Sequence, residues 1–255
     1  MKITIKRQEQ EETALPKNFF TRLKGVYFSP RKAFCEIGRA PKVLIPLIVV
    51  LFLSIATTWY KSHVVDMRAS MAAQLEPLIA KGQITEEQIN MQLAMSERFM
   101  PFSIVFSGSL VLVVCIAIAA YGKLISSFVG AENQFRALLA VSAYTLIAVP
   151  IVFLAIFVII AQIKGFQGTT IFTDSVATNL GAWIESFFGR DALPGFLMLS
   201  AKMVDVFVIW ELALLSIGFS AVSKKLSASM SAVWLGGIYT IFALISVAGQ
   251  MVLSN

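Results

Sequence analysis

Histidine, cysteine and charge are scarce in this chain, which has one histidine, two cysteines and 14% charged residues among 255. It has no glycine-rich phosphate loop, no Ser-His-acid set and no His or Cys cluster with metal-ligand spacing. His63 and Asp66 stand one turn apart, but without a second histidine an ordinary polar surface explains them better than a metal site. Cys35 and Cys115 suggest no disulfide framework. We therefore expect neither an enzyme nor a bound metal or cofactor.

Long apolar runs are what the sequence does have, since 57% of its residues are hydrophobic. A spanning helix needs about 20 predominantly apolar residues. The pattern predicts an all-α, polytopic membrane protein in which residues 43–255 form a bundle of five transmembrane helices. The predicted spans are residues 43–60, 102–121, 137–162, 203–223 and 230–253.

The longest polar connection, residues 62–101, keeps an apolar stripe at helical spacing and is predicted to form an extramembrane helical hairpin. Thr85 and Gln88 have the spacing of a capping box at the start of its second helix. In the third span, Pro150 is predicted to kink the helix and to release the carbonyl of Leu146 from its hydrogen bond.

The segment before the first span divides into two parts. Residues 1–17 lack apolar periodicity and are predicted to form a mobile tail. Residues 18–42 have the pattern of short basic amphipathic helices, with Ser29 and Pro30 in the N-cap and first helical positions of the second. Such helices lie in the lipid interface or pack under the bundle. The predicted lipid-interface residues are Lys17, Phe19, Phe20, Arg22, Leu23 and Lys24.

The distribution of basic residues predicts the orientation. The lead-in and the second and fourth loops together hold fourteen basic residues, whereas the opposite side holds seven. The positive-inside rule therefore places the N-terminus in the cytoplasm and the C-terminus outside, with the hairpin extracytoplasmic. Orientation signals and anionic lipids of the cytoplasmic leaflet explain the net charge of +6 better than a nucleic acid partner does.

Two carboxyls interrupt the fourth span. Glu211 lies about 13 Å along the helix axis from Lys202, close to the bilayer centre. A charge there costs about 2.5 kcal/mol or more, so we expect Glu211 to face other helices and to donate, in its protonated form, to a buried acceptor. For Asp205, nearer the interface, an ion pair with Lys202 or a helix cap is the simpler explanation. The predicted intramembrane polar site comprises Glu211, Asp205, Tyr239, Thr240, Ser54 and Tyr144.

Three groups of residues resemble the Yip1-domain family in its prokaryotic form. They are Phe28-Ser29-Pro30 with Phe34, Ile37 and Pro41, then Phe135-Arg136 through Tyr144, and Trp210 through Ile217-Gly218-Phe219-Ser220. The resemblance covers residues 19–253 and implies an integral protein of the bacterial inner membrane. Eukaryotic members bind small Rab-type GTPases, but their Asp-Leu-Tyr-Gly-Pro motif is absent from this sequence. GTPase binding is therefore not carried over.

Two hypotheses about function follow. In the first, the protein is a membrane scaffold or adaptor whose lead-in binds anionic lipid or a membrane or cytoplasmic protein, and Glu211 only locks helix packing. In the second, Glu211 and Asp205 mark a path for a proton, a cation or a lipid headgroup. A water-filled cavity that reaches Glu211 would favour the second. The small residues Ala213, Ser216 and Ser220 suit packing within one chain or in a homo-oligomer equally well.

Overall fold

The computed structural model describes residues 18–64, 85–164, 178–189 and 192–254, and the bounds of its helices follow the apolar runs closely. The helices of this part of the chain are α1 (Phe19–Phe28), α2 (Pro30–Arg39), α3 (Leu44–Val64), α4 (Glu86–Phe128), α5 (Phe135–Lys164), α6 (Leu180–Phe188), α7 (Gly195–Met203), α8 (Val206–Val222) and α9 (Ala228–Ser254). Its only β contact is an isolated antiparallel bridge between Asn179 and Asp205. The predicted all-α class is therefore confirmed for the described residues.

Three helices are long and apolar enough to cross a membrane, namely those covering Glu87–Phe128, Phe135–Ile160 and Ala228–Met251. Two further apolar helices, Leu44–Tyr60 and Val206–Val222, are shorter. Each of the five overlaps one of the predicted spans. Many large apolar side chains on α3, α4 and α9 are exposed, as expected when the surrounding medium is lipid rather than water.

The second predicted span does not start a new helix at Pro101. Helix α4 begins at the capping box of Thr85 and Gln88, as predicted, and then continues through Pro101 for 43 residues. The sequence had suggested that the polar connection ends at residue 101 and that the span begins at residue 102. The second arm of the predicted hairpin is therefore continuous with the span, while residues 65–84 of its first arm lie outside the described residues.

The core lies around the first half of α5. Almost every side chain between Ala137 and Val149 is buried. Helix α5 packs against α1, α2, α3, α4 and α8, and α8 also packs against α2 and α9. Helices α1 and α2 are thus part of the bundle, and their apolar faces cover α5 and α8 instead of lipid. Of the two arrangements that the sequence left open, the structure has the packed one.

Close approach of α8 to its neighbours depends on glycine. A Cβ atom at Gly218 would lie 2.3 Å from Cγ1 of Val141 in α5 and 3.3 Å from Cδ2 of Phe34 in α2. Both neighbours are fully buried. Gly218 is therefore the point at which α2, α5 and α8 meet.

Candidate functional site

Asp205 is a helix cap. One carboxylate oxygen accepts hydrogen bonds from the backbone N–H groups of Phe207, at 2.7 Å, and Val208, at 3.3 Å. The other oxygen accepts a hydrogen bond from the Thr178 hydroxyl. These bonds lie at the N-terminal end of the predicted fourth span, because α7 stops at Met203 and α8 starts only at Val206. The helix-cap explanation therefore accounts for this carboxylate.

The ion pair expected for Asp205 forms elsewhere. Lys202 Nζ lies 2.7 Å from Glu185 Oε1 of α6, so it joins α7 to α6. Gly181 of α6 lies directly against Lys202 as well, since a Cβ atom there would be 2.8 Å from the Lys202 backbone nitrogen. The two short helices between α5 and α8 are thus packed together through these contacts.

Glu211 is half-buried on α8 and makes no hydrogen bond or ion pair with any residue that the structure describes. Phe207 lies one turn before it and Gly218 two turns after it, on the same helix face. Phe207 packs edge-on against Phe153 of α5, with ring centroids 5.1 Å apart, and Gly218 faces Val141 of α5. Glu211 therefore sits on the side of α8 that is turned toward α5.

The acceptors proposed for Glu211 are engaged elsewhere. The Tyr239 hydroxyl donates to the Met203 carbonyl at 2.5 Å, the Thr240 hydroxyl to Gly236 of its own helix at 2.8 Å, and the Ser54 hydroxyl to Ser107 at 3.2 Å. None of these three hydroxyls is hydrogen-bonded to Glu211 in the described part of the chain, and the prediction that Glu211 donates to a buried acceptor stays a prediction. Only the Thr240 hydroxyl bonds its own helix, whereas those of Tyr239 and Ser54 bond carbonyls on neighbouring helices.

The predicted lipid-interface residues on α1 differ in exposure. Phe20 is 75% exposed and Lys24 is exposed, whereas Phe19 and Leu23 are half-buried. Arg22, expected to contact lipid, is only 2% exposed, so its assignment to the lipid interface is wrong. It lies on the apolar face because a 3.6-residue period places it beside Val26. Lys17 lies outside the described residues.

Arg22 fastens α1 to the rest of the bundle. Its Nη1 donates to the carbonyl of Ala40, the C-cap of α2, at 2.9 Å, and its guanidinium is near the Tyr144 hydroxyl of α5. Phe19 stacks on the Tyr144 ring with centroids 5.5 Å apart. Tyr144 is therefore an anchor for α1, while Nε of Arg22 has no partner in the described part of the chain.

A second anchor, Tyr27, was not predicted. Its hydroxyl donates to the Ala148 carbonyl of α5 at 2.9 Å, and its ring packs near Trp210 of α8 with centroids 6.2 Å apart. Burial raises the pKa of the Tyr27 phenol, which keeps the hydroxyl protonated as a donor. The bonded carbonyl is near Pro150 but is not the Leu146 carbonyl that the proline was expected to release. The helical spacing of the aromatics in α1 was visible in the sequence, whereas their partners were not.

Two cavities open around α2, and neither is lined by Glu211 or Asp205. The smaller, about 270 Å³, lies between α1 and α2. The larger, about 840 Å³, lies where the start of α2 meets the junction of α8 and α9. Its basic residues Arg31, Lys32, Lys224 and Lys225 form two adjacent pairs in the sequence, but nothing in the sequence indicated that the pairs come together.

Comparison with known proteins identifies the family. The family model of the Yip1 domain matches residues 24–249, which is nearly the whole chain. No curated protein and no solved structure was found to match the chain. The matched residues begin within α1 and end within α9, so they include the buried N-terminal helices as well as the apolar helices of the bundle. The chain is a member of the Yip1 family of membrane proteins.

Proposed function

We propose that this Yip1-family protein is a scaffold or adaptor of the bacterial inner membrane that organises lipid or protein partners at the cytoplasmic leaflet. In this proposal α3, α4, α5, α8 and α9 all cross the bilayer. The apolar helices Leu44–Tyr60 and Val206–Val222 have 17 residues each, or about 25 Å, which local thinning of the bilayer accommodates. The excess of basic residues in the lead-in and the second and fourth loops supports a cytoplasmic N-terminus.

The observation that carries the proposal is that α1 is bonded to the bundle on its inner side and exposed on its outer side. Arg22 and Tyr27 hold its inner side to the bundle through hydrogen bonds to backbone carbonyls. On its outer side, Phe20 and Phe28 are 75% and 78% exposed, and the exposed Lys24 lies between them at four-residue spacing. Aromatic rings beside a lysine suit the boundary between acyl chains and anionic headgroups, or an apolar partner helix.

Transport has no comparable support. The hydroxyls and the carboxylate of the predicted polar site bond neighbouring backbone or capping groups, and Glu211 does not line either of the two cavities around α2. A permeation path needs polar groups that face one continuous opening. Of the predicted site, the Tyr239 and Ser54 hydroxyls instead join pairs of helices, which is the role expected of them in a scaffold, and the Thr240 hydroxyl bonds its own helix.

Photo-crosslinking in intact cells tests the proposal. A benzophenone amino acid replaces Phe20 or Phe28, and the matched control carries it at Phe242, which is 65% exposed on α9. We expect discrete protein or headgroup adducts from α1 and only general lipid labelling from α9. Identical adducts from all three positions would contradict a specific role of α1. Proton or divalent-cation flux in proteoliposomes that disappears in Glu211→Gln would replace the scaffold with a transporter.

A further inference from the structure

The cavity at the junction of α8 and α9 has a strongly positive lining. Arg31 and Lys32 of the first turn of α2 contribute to it from one side, and Lys224 and Lys225 contribute from the other. None of its twelve lining residues is acidic. Four exposed cations line this open cavity of about 840 Å³, and their charge favours an anionic ligand.

These four cations have no partners of their own. All are exposed, and none makes a hydrogen bond or an ion pair with a residue that the structure describes. In this they differ from Lys202, which pairs with Glu185, and from Lys123, which donates to Asn133. Like charges held close together repel each other, and an anion between them removes that repulsion.

Hydroxyl groups and backbone N–H groups supplement the charge. Ser29, Ser220 and Ser227 line the same cavity. Ser29 is the N-cap of α2, and its side chain makes no capping hydrogen bond, so that hydroxyl is available to a ligand. The N-terminal ends of α2 and α9 both meet the cavity, and each carries a partial positive charge from the helix dipole. Guanidinium, ammonium and hydroxyl donors around one opening are the groups that suit a phosphate.

We propose that this cavity binds a phosphate-bearing anion, and that Arg31, Lys32, Lys224 and Lys225 are its charged ligands. The inference rests on the proposed scaffold function, for which it supplies a ligand class and a binding site separate from the exposed side of α1. Two sources present the same chemistry, a phospholipid headgroup and a soluble phosphate compound. Because the cavity lies next to apolar helices, a lipid can place its phosphate there and leave its acyl chains on the bundle surface.

The test compares two double variants of the purified full-length protein. Lys224→Gln with Lys225→Gln removes two charges from the cavity. The control, Lys42→Gln with Arg136→Gln, removes two charges from exposed residues that do not line it. Native mass spectrometry counts phosphatidylglycerol retained from mixed phosphatidylcholine nanodiscs. In a second arm, isothermal calorimetry measures binding of inorganic phosphate and glycerol 3-phosphate. Thermal unfolding verifies that both variants fold.

We expect the cavity variant to bind phosphate-bearing anions about tenfold or more weakly than the wild type, because charged hydrogen bonds are lost, with the control within about twofold. If phosphatidylglycerol is retained and the soluble anions hardly bind, the ligand is a phospholipid headgroup. If the soluble anions bind, the ligand is a soluble phosphate compound. Equal loss in both variants would overturn the site, because only overall charge would then matter. If both variants lose binding equally but α1 still forms its specific crosslinks, the anion site is refuted and the scaffold proposal is not.

Discussion

Substitution of Gly218 by alanine is the sharpest test of the packing that holds the N-terminal helices in the bundle. The new Cβ atom would lie 2.3 Å from Cγ1 of Val141, a distance that real Cβ contacts do not adopt. Val141 and Phe34 are both 0% exposed, so neither can rotate into free space. Overpacking of this kind costs about 1–3 kcal/mol, whereas alanine gains up to about 1 kcal/mol of helix propensity over glycine. The cost of the clash therefore exceeds the gain in helix propensity, and we expect Gly218→Ala to lower the free energy of unfolding by about 1 kcal/mol.

The chain provides a matched control on α9. A Cβ atom at Gly236 would have no heavy atom within 4 Å. Gly236→Ala therefore tests the propensity gain without a clash, and its unfolding temperature is expected to stay level or to rise. The assay is thermal unfolding of the purified protein in detergent, followed by near-ultraviolet circular dichroism. The loss caused by Gly218→Ala should be smaller in a Val141→Ala background, because that background lacks the clashing methyl group. A Gly218→Ala protein as stable as Gly236→Ala would refute the contact of α2, α5 and α8.

Three further predictions concern hydrogen bonds seen in the structure. Arg22→Ala should lower the free energy of unfolding by about 2 kcal/mol or more, because the Ala40 carbonyl loses a charged donor and a void is left. The control Lys24→Ala, at an exposed position of the same helix, should change it by less than about 0.5 kcal/mol. Equal effects of the two variants in chemical denaturation would contradict the burial of Arg22. Asp205→Ala should cost about 1 kcal/mol through loss of the helix cap, while Asp205→Asn, which retains an acceptor oxygen, should cost less. Equal losses for the two variants in thermal unfolding would contradict the cap and indicate a role for the charge itself. Thr85→Ala should raise amide hydrogen exchange in the first turn of α4 with little change in overall stability, and unchanged exchange would count against the capping box.

The sequence predicted the helices well because their causes are local. Continuous apolar runs of about 20 residues form helices in lipid, where every backbone polar group needs an internal partner. The capping box at Thr85 and Gln88 depends on two residues three positions apart, and it was predicted correctly. The continuation of α4 through Pro101 was not predicted, because the position of a proline does not reveal whether a helix starts there or runs through it.

Contacts between distant helices could not be predicted in the same way. The amphipathic pattern of α1 showed that one face is apolar, but lipid and neighbouring helices satisfy an apolar face equally well. Arg22 was therefore assigned to the lipid interface, although it bonds Ala40 and lies against α5. Likewise, Glu211 and Tyr239 were grouped by depth in the membrane, but depth does not determine which carbonyl a hydroxyl reaches first.

The position of α2 links the proposed anion site to the stability of the bundle. Its first turn lines the cavity, and four residues further on Phe34 packs beside Gly218 at the meeting point of α2, α5 and α8. An anion that bridges Arg31 and Lys224 therefore ties α2 to the end of α8 across the cavity. A ligand that binds only the folded state stabilises it by about 2.7 kcal/mol at a hundred times its dissociation constant. Because that increment exceeds the loss of about 1 kcal/mol expected for Gly218→Ala, a saturating phosphate-bearing ligand should restore the stability of this variant to at least that of the ligand-free wild type.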